Sequence, residues 1–293
     1  MTASELSGID NPNLLIYVKN SSLAPSTINN VIVNGNASSI ILTDVSSGNG
    51  NFYCPEPFNA MQIRYTRNFA QHTEVGVSCG WETIALPFTV QSITHDSQGT
   101  ISPFGNSSTE RHFWLRQMSD GNLVRATQIE ANRPYIISMP NNPAYPSEFI
   151  LSGNVVFSAS NITVPMTSPV SISDNSSITF IPTFQRISQS SDIYALNVGE
   201  SRSGYPEGSI FESGYRAIRP FDAYTRHGSP SGARKDYLTL ESMLSMSMFC
   251  STKPMKDRRF VRSGKCASSS RESSGRGSRG HGRLQTVPTA LLG

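Results

Sequence analysis

The groups in this sequence that could do acid–base chemistry are a histidine beside an aspartate and a set of scattered carboxylates. His95-Asp96 follows a predicted strand and could form half of a proton-transfer pair. A catalytic triad also needs an activated serine or cysteine at a tight turn, and the sequence has no G-x-S-x-G motif. We therefore interpret His95 as an exposed loop histidine. A glycosidase would need two acids that face each other across a cleft. We expect the dispersed acids to face solvent instead: Glu82, Glu110, Asp120, Glu130, Glu148 and Asp192.

The sequence contains no pattern typical of metal or cofactor chemistry. Its four cysteines have no C-x-x-C spacing and no neighbouring histidine pair, so we predict no metal site. Cys54 and Cys79 could form a disulfide in an oxidising compartment, although scattered thiols are more often small core residues. No glycine-rich phosphate loop precedes a helix. The sequence thus predicts no catalytic residue, no cofactor and no enzymatic activity.

The aromatic residues are candidates for ligand binding, because a ring can stack against a sugar. In a β-domain, however, aromatic side chains usually fill the core. Trp114 is the best candidate for binding, since its neighbours His112 and Arg116 indicate that one side of its strand is wet. Both roles stay open for Trp114, with the core role favoured.

The composition favours many short strands over long helices. Apolar residues make up 37% of the chain and charged residues 15%, and Ser, Asn, Thr, Gly and Pro fill the difference. Met61, Ile63 and Tyr65 alternate with polar residues, as in a half-buried strand. Further strand candidates follow at intervals of roughly 8–12 residues. We predict an all-β fold, an antiparallel β-sandwich or two packed β-subdomains, with one weak helical candidate at 237–249.

Changes in composition divide the chain into four parts. Residues 1–45 are interpreted as a short β segment, a remnant or cap of an upstream repeat region, and residues 46–51 as a linker. Residues 52–240 form the β-sandwich domain. Residues 241–293 are a low-complexity Ser/Arg/Gly tail, which we interpret as disordered or as translated out of frame.

Charge is distributed unevenly between the tail and the rest of the chain. Residues 253–283 hold ten Lys or Arg and two Asp or Glu, a net charge of +8, which leaves −5 elsewhere in a chain of net charge +3. An argument for nucleic-acid binding from the whole-chain charge therefore fails, and we predict no nucleic-acid partner. An RNA-binding tail is the last alternative. The apolar run at 14–18 is too short for a membrane span, so we predict no membrane insertion.

Four motifs, in order along the chain, resemble a recurrent β-domain. They are GWETIALPF (80–88), IEANRPYII (129–137), YALN (194–197) and RPFDAY (219–224). This domain is found in the C-terminal parts of Bacteroidetes cell-surface proteins, including BspA-like leucine-rich-repeat proteins. Proline in the motifs marks strand boundaries. We predict that their apolar side chains form the core: Trp81, Ile84, Leu86, Phe88, Tyr135, Ile137, Phe221 and Tyr224.

The resemblance implies an exported protein, at the cell surface or outside the cell, with leucine-rich repeats upstream of this chain. It also implies adhesion to host proteins or glycans. Our first hypothesis is accordingly a non-catalytic structural or adhesion module of a bacterial surface protein. The alternative is a carbohydrate-binding module that uses exposed aromatics around Trp114. A hydrolase with an unrecognised pair of carboxylates comes third.

Overall fold

The chain is built almost entirely of β-strands. The structure, a computed structural model, describes residues 10–20, 27–119, 122–173, 178–199, 204–228 and 236–240. Within these ranges it contains nineteen strands in three sheets and one 3-10 turn, Ser147–Phe149. The all-β prediction is confirmed, and most strand pairs are antiparallel. The predicted basic tail at 241–293 lies outside the described residues.

The first sheet has eight strands and is built around two long antiparallel strands, β5 (Phe58–Phe69) and β13 (Gly153–Val164), which pair over their whole length. The other strands are β1 (Ile16–Val18), β2 (Val31–Val33), β3 (Asn36–Ala37), β4 (Ile40–Thr43), β7 (Ser92–His95) and β8 (Gly99–Thr100). Their order is β1-β2-β3-β5-β13-β7-β8, and β4 also pairs with β5. The pairs β1–β2, β3–β5 and β4–β5 are parallel.

Strand β5 changes phase in its first half. Ala60 and Ile63 are both buried, whereas Met61 and the residue after it are exposed. The partner strand β13 departs from regular extended geometry at the same level, where Asn161 has a φ of 53°. The alternation predicted from Met61 onward is therefore wrong at its first position, where the side chain is 60% exposed. Ile63 and Tyr65 are buried on one face, as the period of two indicates.

The second and third sheets contain shorter strands. The second has the order β11-β10-β12-β6, with β9 parallel to β10. Its strands are β6 (Glu82–Ile84), β9 (Ser102–Pro103), β10 (His112–Ser119), β11 (Asn122–Arg125) and β12 (Tyr135–Ser138). The third has the order β14-β15-β18-β16-β17-β19. Its strands are β14 (Ile172–Ser173), β15 (Ile178–Pro182), β16 (Tyr194–Leu196), β17 (Ile210–Ser213), β18 (Ala223–His227) and β19 (Tyr237–Thr239). The helical candidate at 237–249 therefore begins as a strand, and its residues beyond 240 lie outside the described part.

The second sheet supplies side chains to two hydrophobic cores, because successive residues of a strand point to opposite faces. Leu115 and Ile137 belong to the core shared with the first sheet, whereas Met118 and Ile136 belong to the core shared with the third. A smaller cluster that includes Tyr224 lies on the other face of the third sheet. All eight residues predicted for the core are at most 5% exposed: Trp81, Ile84, Leu86, Phe88, Tyr135, Ile137, Phe221 and Tyr224.

The N-terminal strands share the sheet and the core of the residues that follow. Four of their side chains are buried in the first core: Ile32, Ala37, Ile40 and Leu42. Residues 46–51, predicted as a linker, are held by a buried side chain, since Asn13 Nδ2 donates a hydrogen bond of 2.7 Å to the carbonyl of Gly50. Within the described residues, the segment 1–45 is therefore continuous with the first sheet.

Two buried asparagines close the edge of β4 that faces away from β5. Asn30 accepts a hydrogen bond from the N–H of Ile41 at 2.7 Å and donates one to its carbonyl at 3.0 Å. Asn13 bonds to Thr43 in the same way, at 2.8 and 3.0 Å. Each side-chain amide thus replaces a peptide group of a neighbouring strand and satisfies the backbone of an edge that would otherwise be open.

Candidate functional site

A dense group of charges lies inside the protein, around Arg67 of β5. Its Nη2 is 3.0 Å from Asp222 Oδ1 and 3.1 Å from Glu82 Oε2, and its Nη1 donates a hydrogen bond of 2.7 Å to the carbonyl of Thr83. The side chains of Arg67, Asp222 and Glu82 are 2%, 1% and 9% exposed. One acid from the motif at 80–88 and one from the motif at 219–224 therefore meet at a single buried cation.

Three further side chains complete this group on its more exposed side. Arg216 Nη1 lies 3.2 Å from Asp222 Oδ2, and Arg219 Nε lies 3.7 Å from the same oxygen. Asp44 Oδ2 is 3.5 Å from Arg219 Nη1 and 3.9 Å from Arg67 Nε. When all are ionised, three arginines balance three carboxylates. We call these six residues the Arg67 cluster: Asp44, Arg67, Glu82, Arg216, Arg219 and Asp222.

Burial and the neighbouring charges act against each other on the members of the Arg67 cluster. Burial raises the pKa of Asp222, but Arg67, Arg216 and Arg219 outweigh it and hold the pKa below its ordinary value. Burial also raises the pKa of Glu82, and there it prevails over the attraction of Arg67. Burial lowers the pKa of Arg67, but the two carboxylates outweigh it and keep the pKa well above its ordinary value. The arginine therefore stays charged, and Asp222 is the carboxylate that is held ionised beside it.

The geometry of the Arg67 cluster is that of a structural ion-pair network. A retaining glycosidase places its two carboxyl groups about 5–5.5 Å apart on either side of the scissile bond of a bound sugar. Glu82 and Asp222 instead share one nitrogen of Arg67, in a place that solvent hardly reaches. The expectation that Glu82 faces solvent is therefore wrong. Sequence reasoning also missed Arg67 and Asp222, although the single acid in each of the two motifs was an available signal.

Backbone contacts hold the same two motifs together. The N–H of Ala85 donates a hydrogen bond of 2.8 Å to the carbonyl of Phe221, and the N–H of Ala223 donates one of 3.1 Å to Thr83 Oγ1. Phe221 has a φ of 66°, a left-handed conformation that is unusual for a bulky residue. This turn directs its ring into the first core, where the ring centroid lies 4.9 Å from that of Tyr65. The motif thus places a ring in the core and the next side chain in the Arg67 cluster.

His95 differs from the prediction in burial. His95 is only 5% exposed and is not an exposed loop residue. Its Nε2 lies 2.9 Å from the carbonyl of Ser152, and its Nδ1 accepts from backbone N–H groups of the following turn, so the neutral ring carries its proton on Nε2. Ser102 Oγ lies 3.2 Å from His112 Nδ1, but this hydroxyl is buried. Within the described ranges no carboxylate hydrogen-bonds to the imidazole of His95 or of His112. Neither histidine therefore has the acidic partner that orients the imidazole of a catalytic triad.

The two cysteines of the described residues are separate free thiols, and the alternative of a disulfide between them does not occur. Cys54 and Cys79 are both buried, and burial raises the pKa of each thiol. No group of three or more His, Cys, Asp or Glu in the described part of the chain could hold a metal ion. A search of the same residues for a helix long and apolar enough to cross a membrane found none.

Trp114 belongs to a row of three partly exposed rings beside β9 and β10. The centroid of the Phe104 ring lies 5.4 Å from that of Trp114 and 5.2 Å from that of His112. Trp114 also packs against the second core. The indole therefore lies at the boundary between core and surface, where both roles considered from the sequence remain open to it. We call these residues the ring row: Phe104, His112 and Trp114.

A shallow depression of about 540 Å³ lies on the outer face of the first sheet, over β4, β5 and β13. Its polar lining comes from these strands and from the loop before β4: Asn29, Ser39, Gln62, Arg64, Ser158 and Ser160. Apolar side chains contribute as well, among them Ile41 and Val156. Sequence reasoning singled out none of these residues for function, because small polar side chains on the solvent face of a strand are common.

No protein-family model, curated protein or solved structure matches this chain. The resemblance to the Bacteroidetes β-domain, the cell-surface location and the host partners therefore stay predictions. The functional proposal rests on the geometry described above.

Proposed function

We propose that this chain is a non-catalytic structural and adhesion module of an exported bacterial surface protein. The observation that carries the proposal is the Arg67 cluster. Its converging carboxylates are enclosed and neutralised, and they tie β5 to the segments that hold β6 and β18. Carboxylates that are paired and enclosed in this way stabilise a scaffold, and a substrate cannot reach them. Binding then takes place on the solvent-facing surfaces of that scaffold.

Bead adhesion tests this proposal with the full 293-residue chain. Fluorescent beads that carry the purified chain should bind immobilised host glycoproteins or epithelial cells more than beads that carry albumin, and soluble chain should compete with them. Heat-denatured chain is the matched control. Pretreatment of the host surface with glycosidases or with protease separates glycan from protein partners. No retention on any host surface, or turnover of a sugar substrate by the purified chain, would contradict the proposal.

A carbohydrate-binding module is the second candidate, and the ring row supports it. Three partly exposed rings with centroids about 5 Å apart form a surface on which a sugar could stack. A glycan array probed with the wild type and with Trp114→Ala tests this role, and the variant should lose binding. Tyr53→Ala is the control, since that ring is 63% exposed and lies outside the ring row. Sugar binding that survives Trp114→Ala unchanged would exclude the ring row.

A further inference from the structure

We propose that the depression on the first sheet binds an acidic sugar residue through Arg64. The ligand chemistry is a carboxylate attached to a ring of hydroxyl groups, as in a uronic or sialic acid within a glycan. The inference names the ligand class and the surface for the adhesion proposed above, and it rests on that function. It is carried by the position of Arg64, by the other groups around it and by the balance of charge.

Arg64 lies in the middle of the depression, because its strand β5 runs between β4 and β13. It is directly opposite Ile41 on one side and Ser158 on the other. Its side chain is exposed, and it forms no hydrogen bond or ion pair with any other described residue. Some other cations of this chain are paired, such as Lys19, whose Nζ lies 2.9 Å from Glu56 Oε1, and Arg133, which lies 2.8 Å from Glu130. The planar guanidinium of Arg64 therefore has donors available for a carboxylate.

The surroundings of Arg64 match the rest of a sugar residue. Neutral amides and hydroxyls can bond to ring hydroxyls: Asn29, Ser39, Gln62 and Ser160. Two half-buried aliphatic side chains provide a small apolar area for the C–H face of the ring: Ile41 and Val156. The described lining contains no acidic residue that would repel an anion. A volume of about 540 Å³ suits one or two sugar residues.

The positive charge of Arg64 decides the ligand class. Hydrogen bonds that involve an ionised group are roughly twice as strong as neutral ones. The described lining contains no aromatic ring on which a neutral sugar would stack. The net negative charge outside the tail acts in the opposite direction, but exposed charges beyond about 10 Å are largely screened at 0.1 M salt. We expect a dissociation constant on the order of 1 mM for a monosaccharide, tightened when several chains bind one glycan surface.

An NMR titration of the full chain tests the inference. The acidic probes are methyl β-D-glucuronide and the methyl glycoside of N-acetylneuraminic acid, and the reference probes are methyl β-D-glucoside and inorganic sulfate. At least one acidic sugar should bind about ten times more tightly than either reference probe. Arg64→Gln should weaken its binding about tenfold, and so should Gln62→Glu, which keeps the side-chain shape but adds a negative charge. Arg133→Gln is the matched control and should leave binding unchanged.

Three results would overturn the inference. The first is equal affinity for the glucuronide and the glucoside, if the N-acetylneuraminic acid glycoside does not bind. The second is sulfate binding as tight as that of the sugars, and the third is unchanged affinity for the acidic sugar in Arg64→Gln. A thermal melt of each variant verifies that it is folded, and two variants on one exposed face give independent readings. The titration uses no host surface. If the chain does not bind acidic sugars in the titration but the beads still adhere, only this site is rejected. If the chain binds acidic sugars but the beads do not adhere, the proposed adhesion function is rejected.

Discussion

Asp222 is a buried carboxylate whose charge is compensated by three arginines of the Arg67 cluster. Asp222→Asn keeps the shape of the side chain but removes the charge, so Arg67 loses its closest anionic partner. Breaking a buried ion pair typically costs about 3–5 kcal/mol, and we expect the free energy of unfolding to fall by that amount near pH 7. Guanidinium chloride titrations measure the change. A loss of less than about 1 kcal/mol would show that the cluster does not stabilise the fold.

The loss caused by Asp222→Asn should depend on pH. The folded-state pKa of Asp222 lies below the ordinary value of 3.8. Its charge therefore stabilises the fold above that value, and the contribution is lost as pH falls through the folded-state pKa. The difference in free energy of unfolding between wild type and variant should shrink as pH falls below 3.8. A difference that stays constant with pH would contradict the role assigned to this charge.

Glu82 should respond to pH with the opposite sign. Its folded-state pKa is raised above the ordinary value of 4.5, so its contribution is present below that value and is lost as pH rises through the folded-state pKa. Glu82→Gln cannot ionise, and its free energy of unfolding relative to wild type should therefore increase as pH rises above 4.5. Urea titrations at several pH values measure this slope. Glu130→Gln, at a side chain that is 52% exposed, is the control. A slope of the same sign as that of Asp222→Asn would contradict the assignment.

For individual residues, the sequence predicted the core well but did not predict the Arg67 cluster. Burial of an aromatic or aliphatic side chain follows from its own chemistry, so residues such as Trp81 and Phe88 could be identified from local patterns. An ion pair depends on which distant segments meet. Arg67 and Asp222 are 155 positions apart, and only the pairing of sheets brings them within bonding distance. The sequence likewise showed His95 after a strand but not the carbonyl of Ser152 that encloses it.

At the scale of single elements, the edge of β4 is the clearest case for a test. Asn30→Ala removes both hydrogen bonds to the backbone of Ile41 and leaves a part-buried N–H and carbonyl without partners. We expect the free energy of unfolding to fall by at least about 1–3 kcal/mol. The amide of Ile41 should also exchange with deuterium faster than in wild type. Asn29→Ala, next to it and exposed, should change neither quantity, and equal effects of the two variants would contradict the capping role of Asn30.

The strands could be predicted where they are short and uniformly apolar, and less well where the sheet bends. Residues 31–33, for example, are three β-branched apolar residues in a row, and they form β2. The position of Met61 could not be predicted, because the change of face in β5 accompanies the unusual backbone of Asn161 in the partner strand. The parallel pairing of β4 with β5 was also outside the reach of local patterns, since alternation is the same in parallel and antiparallel strands.

In the whole molecule, the second sheet mechanically links the two cores. Neighbouring residues of β12, Ile136 and Ile137, pack in different cores, so neither core can lose its order without disturbing the other. The third sheet is also fixed to the second by backbone contact. Gly208 has a φ of 63°, and its carbonyl accepts a hydrogen bond from the N–H of Trp81, an approach so close that an added Cβ would collide with that backbone.

This arrangement predicts that the three sheets unfold in one transition, and the chain contains separate reporters for its two cores. Both tryptophans, Trp81 and Trp114, contact the second core, whereas Cys54 is buried in the first. In a variant whose other three cysteines are replaced by alanine, tryptophan emission and the reaction of Cys54 with a thiol reagent should change at the same denaturant concentration. Exposure of Cys54 before the change in emission would show that the first core opens independently, and it would contradict the linkage through β12. Because the Arg67–Asp222 pair joins β5 of the first sheet to the segment that leads into β18 of the third, Asp222→Asn is the single change that should bring such a separation closest to detection.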